Sequence, residues 1–373
     1  MEKIVIIGAG AIGRGFLPWC FKLNQYELVF VDNNRFIIEQ MKKNKGYTTY
    51  MAIDGVLVEK FISVSKVFHI DEFDLSLVEN VNSIYMAVGP RNIVKAAKGL
   101  KNVSCPIILC ENDDATVITL QKALNYDRIY FAIPDVITSN SASDENLLKD
   151  TLAIHTENGE LFVDNRATGT EGTIRYVSEV ELKKQWAAKL FLHNTPHCVA
   201  AYLGALLGLK YLHEPMKIQT TREIVVGSMN EMLTALKATW KIPHEFLEWY
   251  AEKELSRFSN ELLMDPISRV AREPFRKLEL DGRLIGASQM CFRYGFVPNN
   301  IVKGIVAAIL FENEKDNDSN IILLRSHLPI NVFLTYVIGL RQGEVLEEIL
   351  TNDYDILSTD LLLLKRNYEN EKR

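Results

Sequence analysis

The chain has 373 residues, with 42 Lys and Arg against 48 Asp and Glu, a formal net charge of −6. At 47% hydrophobic and 24% charged, the composition is globular and excludes a mainly disordered chain. An acidic chain without a long basic block argues against nucleic acid as a partner, and no run of 18 apolar residues is available to span a membrane.

Met1 to Gly8 lacks the basic flank, long apolar stretch and small-residue cleavage site of a signal peptide. Cys20, Cys105, Cys110, Cys198 and Cys291 form no CxxC pair, and the seven histidines form no ligand pattern. The expectation is reduced thiols, a cytoplasmic location and no metal.

Lys3 to Ile7 is a short β-branched run, interrupted by Gly8-Ala9-Gly10-Ala11-Ile12-Gly13 and followed by a helical pattern to Asn24. A second apolar run, Glu27 to Val31, ends at Asp32. Strand, glycine turn, helix, strand is the opening of a doubly wound, Rossmann-type sheet. Gly8, Gly10 and Gly13 match G-x-G-x-x-G in that context. The first allows the tight turn, the second lets backbone approach a pyrophosphate, and the third permits close helix–strand packing. Ala11 and Ile12 begin the helix, whose N-terminal N–H groups face the anion. Asp32 stands where a carboxylate accepts from the adenosine ribose and repels a 2′-phosphate, so the expected cofactor is NAD. Arg35 nearby weakens that preference slightly. Pro18 predicts a kink in the helix after the loop.

Further parallel strands are predicted at Ser83 to Val88, Ile107 to Cys110 and Ile129 to Ala132, with helices at Ile93 to Leu100 and Ala115 to Leu124 between them. Leu152 to Thr156 and Glu160 to Val163 flank Asn158-Gly159 and read as a hairpin extending the same sheet antiparallel. After about Val180 the pattern is helical almost to the end. The expected fold class is α/β: a Rossmann-type NAD-binding domain over 1–185, then a mostly α-helical substrate and catalytic domain over 186–373. The tail from Lys365 is polar and expected to fray.

The stretch Lys189-Leu-Phe-Leu-His193-Asn194-Thr-Pro196-His197 holds residue types that suit oxidation of a secondary alcohol. That reaction needs a base for the hydroxyl proton and donors for the oxygen. On an unbroken α-helix Lys189 and His197 lie about 80° apart and Asn194 about 60° further, all on one side. Thr195 before Pro196 is disfavoured in the helical region and resembles an N-cap followed by N1. Asn194 is therefore expected in a break between two helices. By spacing alone, a surface lysine, a capping asparagine and a core histidine are the favoured reading.

Lys189-x4-Asn194-x2-His197, followed by Ala201-Tyr202-Leu203-Gly204, resembles the K-x4-N-x2-H signature of the polyol-specific long-chain dehydrogenases. The similarity runs through nearly the whole chain. Gly8 to Phe16 resembles that family's GAGNIGRGF, and Ala87-Val88-Gly89-Pro90 its loop after the fourth strand. Cys110-Glu111-Asn112 resembles its CEN, and the segments Arg269 to Leu278 and Asp281 to Ile285 its RVxRxPxRKL and DRLI.

The resemblance implies hydride transfer with NAD and without a metal, with Lys189 as general base. Asn112 and Asn194 then polarise the carbonyl oxygen, His197 orients the substrate, and Val88 and Gly89 join the cofactor site. The implied reaction interconverts D-mannitol 1-phosphate and D-fructose 6-phosphate. A related polyol dehydrogenase, a tagaturonate- or fructuronate-type reductase, and more remotely a non-catalytic NAD sensor are the alternatives. The partner is thus a small sugar phosphate or polyol, and the chain a monomer or small homo-oligomer. Two positions depart from the family pattern: Val136 stands for an arginine and Pro196 for a glycine.

Arg269, Arg272, Arg276, Lys277 and Arg283 concentrate positive charge in an acidic chain. Arginine forks bind phosphate bidentately, and with the matched family segment the resemblance makes Arg272 and Arg276 the expected phosphate ligands. On charge alone, a solvated helix face paired with Glu273, Glu279 and Asp281 is the favoured reading.

Overall fold

The computed structural model describes all residues except 112, 240, 313–319 and 373. The chain divides into two compact units, Met1–Trp186 with Leu262–Met264, and Ala187–Glu261 with Asp265–Arg373. The three-residue excursion is tied to the first unit by side chains that reach its backbone. The His155 ring lies 3.0 Å from the Leu262 carbonyl oxygen, and Ser139 Oγ donates to that of Met264 at 3.3 Å.

The first unit is built on eleven strands: β1 (Glu2–Ile7), β2 (Tyr26–Asp32), β3 (Gly46–Ile53), β4 (Val56–Ser63), β5 (Lys66–His69), β6 (Val81–Met86), β7 (Ile107–Leu109), β8 (Ile129–Asp135), β9 (Ile154–Glu157), β10 (Glu160–Asp164) and β11 (Ile174–Val177). Eight form one sheet in the order β11-β10-β8-β7-β6-β1-β2-β5. From β8 to β5 all neighbours are parallel, and β10 runs antiparallel to β8. The short apolar runs are explained by burial on both faces. Ile4, Ile6, Leu28 and Phe30 enter one core, while the alternating Val5, Ile7, Val29 and Val31 enter another. Strand periodicity of two sorts them.

The predicted hairpin over 152–163 is corrected. β9 and β10 do not pair with each other. β9 lies parallel to β3 in a separate three-stranded sheet, β4-β3-β9, whereas β10 joins the large sheet. The partner that draws β9 away is the β3–β4 hairpin, which sequence reading left unassigned. Its turn, Asp54-Gly55, has φ of +48° and +80°, the left-handed pair that a two-residue hairpin favours. Asn158-Gly159 therefore passes the chain from one sheet to the other, and Gly159 crosses tightly against the end of β8.

The second unit is helical among its described residues, with long helices at Gln219–Thr239, His244–Phe258, Asn299–Ile309 and Val345–Glu371. No described helix is long and apolar enough to cross a membrane.

A Cβ on Gly159 would stand 2.6 Å from the Asp135 carbonyl oxygen and 2.6 Å from Val136 Cβ. Gly159→Ala is expected to destabilise by about 1–3 kcal/mol through overpacking, lowering the thermal midpoint by several degrees. Asn158→Ala, on the exposed side of the same turn, should change it little. Differential scanning calorimetry of both variants checks this crossing, and equal midpoints for Gly159→Ala and the parent would refute it.

Candidate active site

In the first unit the glycine loop leaves β1 under close constraint. Gly8 has φ +99°, and a Cβ there would lie 2.3 Å from the Ala87 carbonyl oxygen. At Gly13 a Cβ would lie 1.8 Å from the Gly8 carbonyl oxygen. Gly10 differs, because a Cβ there would meet no atom within 4 Å. Its openness is toward space, not protein.

Ala11 and Ile12 begin a π-wound first turn, Ala11–Phe16, that passes into a short α-helix, Leu17–Cys20, carrying Pro18 in its first turn. The wider winding precedes the proline, and the helix ends two residues after it.

Asp32 is the last residue of β2. Its Oδ2 accepts from the Ala9 N–H at 2.6 Å and its Oδ1 from that of Asn34 at 2.7 Å. Each oxygen keeps a further lone pair for another donor. Gly8, Gly10, Asp32, Asn33, Ala87 and Val88 help line a cleft of about 920 Å³. Gly13 packs under the loop, and neither it nor Ala11, Ile12 and Gly89 lines the cleft directly.

The Val88 and Gly89 N–H groups both donate to Glu111 Oε1, at 2.8 and 2.9 Å. Glu111 is buried. That burial pushes its carboxyl up to about 7, although the two donors pull the other way. Sequence reading assigned Glu111 no role, although it lies within the matched Cys110-Glu111-Asn112 segment. Asn112 itself lies outside the described residues.

In the second unit, Lys189, Asn194 and His197 are all buried on one continuous helical run. The expected break is absent. Lys189–His193 is a π-turn, in which the Asn194 N–H bonds the Lys189 carbonyl, and the Asn194–Leu206 helix follows directly. Pro196 cannot donate to the carbonyl one turn back, and the widened turn just before it accommodates that loss. Thr195 is not a cap. Its Oγ1 donates to the Arg283 carbonyl at 2.7 Å.

His197 Nε2 lies 3.3 Å from Asp265 Oδ2, without the alignment of a hydrogen bond. Asp265 is held by both prongs of Arg269, at 2.7 Å each. Burial drives the His197 imidazole down to about 3, against the pull of Asp265, so the ring is neutral near pH 7. Burial raises Asp265, but Arg269 and His197 outweigh it and hold the carboxyl below its ordinary value.

Four residues further back, His193 Nδ1 pairs with Glu254, which also takes Arg257. The two imidazoles lie 4.7 Å apart, and both pack on Phe258. Glu254, Arg257 and Asp265 escaped sequence reading because they are distant in the chain.

The basic cluster is heterogeneous. Arg269 is committed to Asp265. Arg276 contacts Glu273 through two nitrogens, at 3.0 and 2.8 Å, while the Arg272 side chain is largely exposed, 4.0 Å from Glu273. Lys277 is buried, with its ammonium on the Arg272 carbonyl, and burial lowers it to about 7. Among the described residues, no three His, Cys, Asp or Glu side chains are grouped to hold a metal ion. Val136 and Pro196 are both buried.

Residues 2–131 match the mannitol dehydrogenase Rossmann domain and residues 181–333 the mannitol dehydrogenase C-terminal domain. A mannitol-1-phosphate 5-dehydrogenase of Caldanaerobacter subterraneus subsp. tengcongensis is 31% identical, over 94% of this chain and 97% of its own. One from Clostridium acetobutylicum is 28% identical, over 95% and 99%. The solved Pseudomonas fluorescens mannitol 2-dehydrogenase, in ternary complex with NAD and D-mannitol, has a TM-score of 0.77 at 14% identity. It covers 100% of this chain and 95% of that one, which is a likeness of fold.

Glu111 generates a pH prediction. Its folded value near 7 lies above the ordinary ~4.3 of an unfolded glutamate. The stability it contributes is therefore complete below about pH 4 and is lost as pH rises through about 7. The loss is on the order of 3 kcal/mol. Glu111→Gln keeps an acceptor for both N–H groups and cannot ionise. Urea unfolding at pH 5 and pH 8 should show the variant gaining on the parent at the higher pH. A difference that stays constant across that interval would refute the assignment.

Proposed function

The chain belongs to the mannitol dehydrogenase family, and on that footing we propose that it is an NAD-dependent secondary-alcohol dehydrogenase interconverting D-mannitol 1-phosphate and D-fructose 6-phosphate. The observation that carries this reading is the burial of Lys189, Asn194 and His197 on one helical run, with His197 neutral.

The open face of Gly10 and the spare lone pairs of Asp32 fit a dinucleotide in the first unit. The Gly8–Gly13 loop, with Ala11 and Ile12 at the helix start, would hold its pyrophosphate. Asp32 would take the adenosine ribose and disfavour a 2′-phosphate. Val88, fixed together with Gly89 by Glu111, would border the same cleft. When bound, NAD supplies the acceptor for hydride.

In oxidation, neutral Lys189 Nζ takes the hydroxyl proton of the substrate. Asn194 and a neutral His197 donate to the oxygen as charge develops on it, without bringing a competing anion. Asn112 joins them on the strength of the sequence resemblance. In reduction, the Lys189 ammonium returns the proton to the carbonyl oxygen. Arg272 and Arg276 take the substrate phosphate, and Arg276 shares its guanidinium with Glu273 in doing so.

Lys189→Ala should reduce turnover by about 10²–10⁴-fold, the contribution of a positioned acid–base group, with circular dichroism unchanged. Steady-state rates across the pH range check this, and near-normal turnover at every pH would remove Lys189 from the role.

Substrate class is tested by NADH oxidation with fructose 6-phosphate, free fructose, tagaturonate and fructuronate. Fructose 6-phosphate should be preferred, and Arg272→Ala or Arg276→Ala should weaken its binding roughly ten- to a hundred-fold. Neither change should alter the low activity on free fructose. A preference for either sugar acid, or undiminished fructose 6-phosphate binding in both variants, would refute the phosphorylated substrate.

A further inference from the structure

Arg14 follows the last loop glycine and is buried, yet all its hydrogen bonds go to carbonyl oxygens. Nε donates to Ala9 at 3.0 Å, one terminal nitrogen to Leu152, and the other to Asn140 at 3.5 Å. Asp150 and Asp32 act on the guanidinium only through space, with no hydrogen bond to it. A buried cation held by carbonyl dipoles alone is costly. An apolar side chain in the same place would leave the Ala9, Leu152 and Asn140 carbonyl oxygens without these donors.

The bond to Ala9 has a geometric consequence. The Ala9–Gly10 peptide is trans and planar, so its carbonyl and its N–H point in opposite directions. With the Ala9 oxygen drawn back onto Arg14, the Gly10 N–H is turned away from the guanidinium. Gly10 is the loop residue whose Cβ direction meets no protein atom within 4 Å, and it lines the cleft. The preceding Ala9 N–H is held by Asp32 at 2.6 Å. Ala9 is thus clamped between a carboxylate on its N–H and a guanidinium on its carbonyl.

We propose that Arg14 is a positioning residue for a diphosphate: it turns the Gly10 N–H outward as a donor and sets a fixed positive charge behind the glycine loop. The inference rests on the dinucleotide reading of the first unit and deepens it. It assigns recognition of the diphosphate to a side chain that lines no part of the cleft itself.

The test measures binding of ADP-ribose and of adenosine to the full chain by titration calorimetry, for the parent, Arg14→Met and Arg14→Lys. If Arg14 acts on the diphosphate, Arg14→Met weakens ADP-ribose by roughly tenfold or more and leaves adenosine within about twofold. Arg14→Lys keeps the charge but not the fork, and should recover part of the ADP-ribose affinity and its dependence on salt. A merely structural role moves both ligands together, and that result overturns the proposal, as does undiminished ADP-ribose binding in Arg14→Met. Should Arg14→Met fail to fold, Arg14→Lys decides: selective weakening of ADP-ribose supports the proposal, and parallel or absent weakening rejects it. Failure of the parent to bind ADP-ribose would instead overturn the dinucleotide reading, and the role of Arg14 with it.

Discussion

The turn out of β1 constrains everything placed around it. Gly13 approaches the Gly8 carbonyl, and Gly8 approaches the Ala87 carbonyl, too closely for any side chain. Those two contacts bring the start of the first helix onto the sheet and lay the loop beside the end of β6. Asp32 then reaches back from the end of β2 to the Ala9 N–H, and Glu111 takes the Val88 and Gly89 N–H groups. Four chain segments meet at one end of a parallel sheet, where an open α/β fold receives its ligand. Glycine is required twice here for lack of room, whereas Gly10 faces open space.

The helical unit solves a different problem, which is to bury ionisable groups without leaving a charge unpaired. Asp265 carries Arg269 and faces His197; Glu254 carries Arg257 and pairs with His193. In each set the carboxylate and the guanidinium offset one another. For His197 the outcome is a neutral ring. The π-turn at Lys189–His193 belongs to the same arrangement. It admits Pro196 into a continuous helix, so that Lys189 and Asn194 stay on one rigid element with both imidazoles.

Much of this was legible in the sequence, for reasons that are local. The glycine loop and Asp32 follow from strand periodicity and turn chemistry, and both stand where a Rossmann-type opening requires them. The Asn158-Gly159 hairpin was misread because turn chemistry cannot tell which strand is the partner. β9 finds a better one in the β3–β4 hairpin, more than a hundred residues upstream. The helix break was misread because proline rules assume α-winding, and a π-turn relaxes them. Glu254 and Asp265 were illegible for a third reason: a buried acid is recognisable only by the base beside it, which lies on another helix. Arg14 stood within a matched segment, but its exchange of carboxylates for carbonyls is a fact of three dimensions.

Both units use charged side chains to fix the polar groups beside them. In the first, Asp32 holds the Ala9 N–H, Glu111 those of Val88 and Gly89, and Arg14 the Ala9 carbonyl. In the second, the carboxylate–guanidinium pairs stand behind the imidazoles. A peptide or imidazole N–H can follow developing charge without favouring one ionisation state of the substrate, and in a site removed from water its orientation is fixed before reaction. The ions behind it supply that orientation, and burial makes them effective. Lys22–Glu171, an exposed pair at 2.7 Å, has comparable geometry but is screened by solvent and contributes little. Asp265–Arg269, at the same 2.7 Å but with a fully buried carboxylate, cannot lose one member without stranding the other. It is the burial of such pairs, more than their number, that makes each member depend on the other.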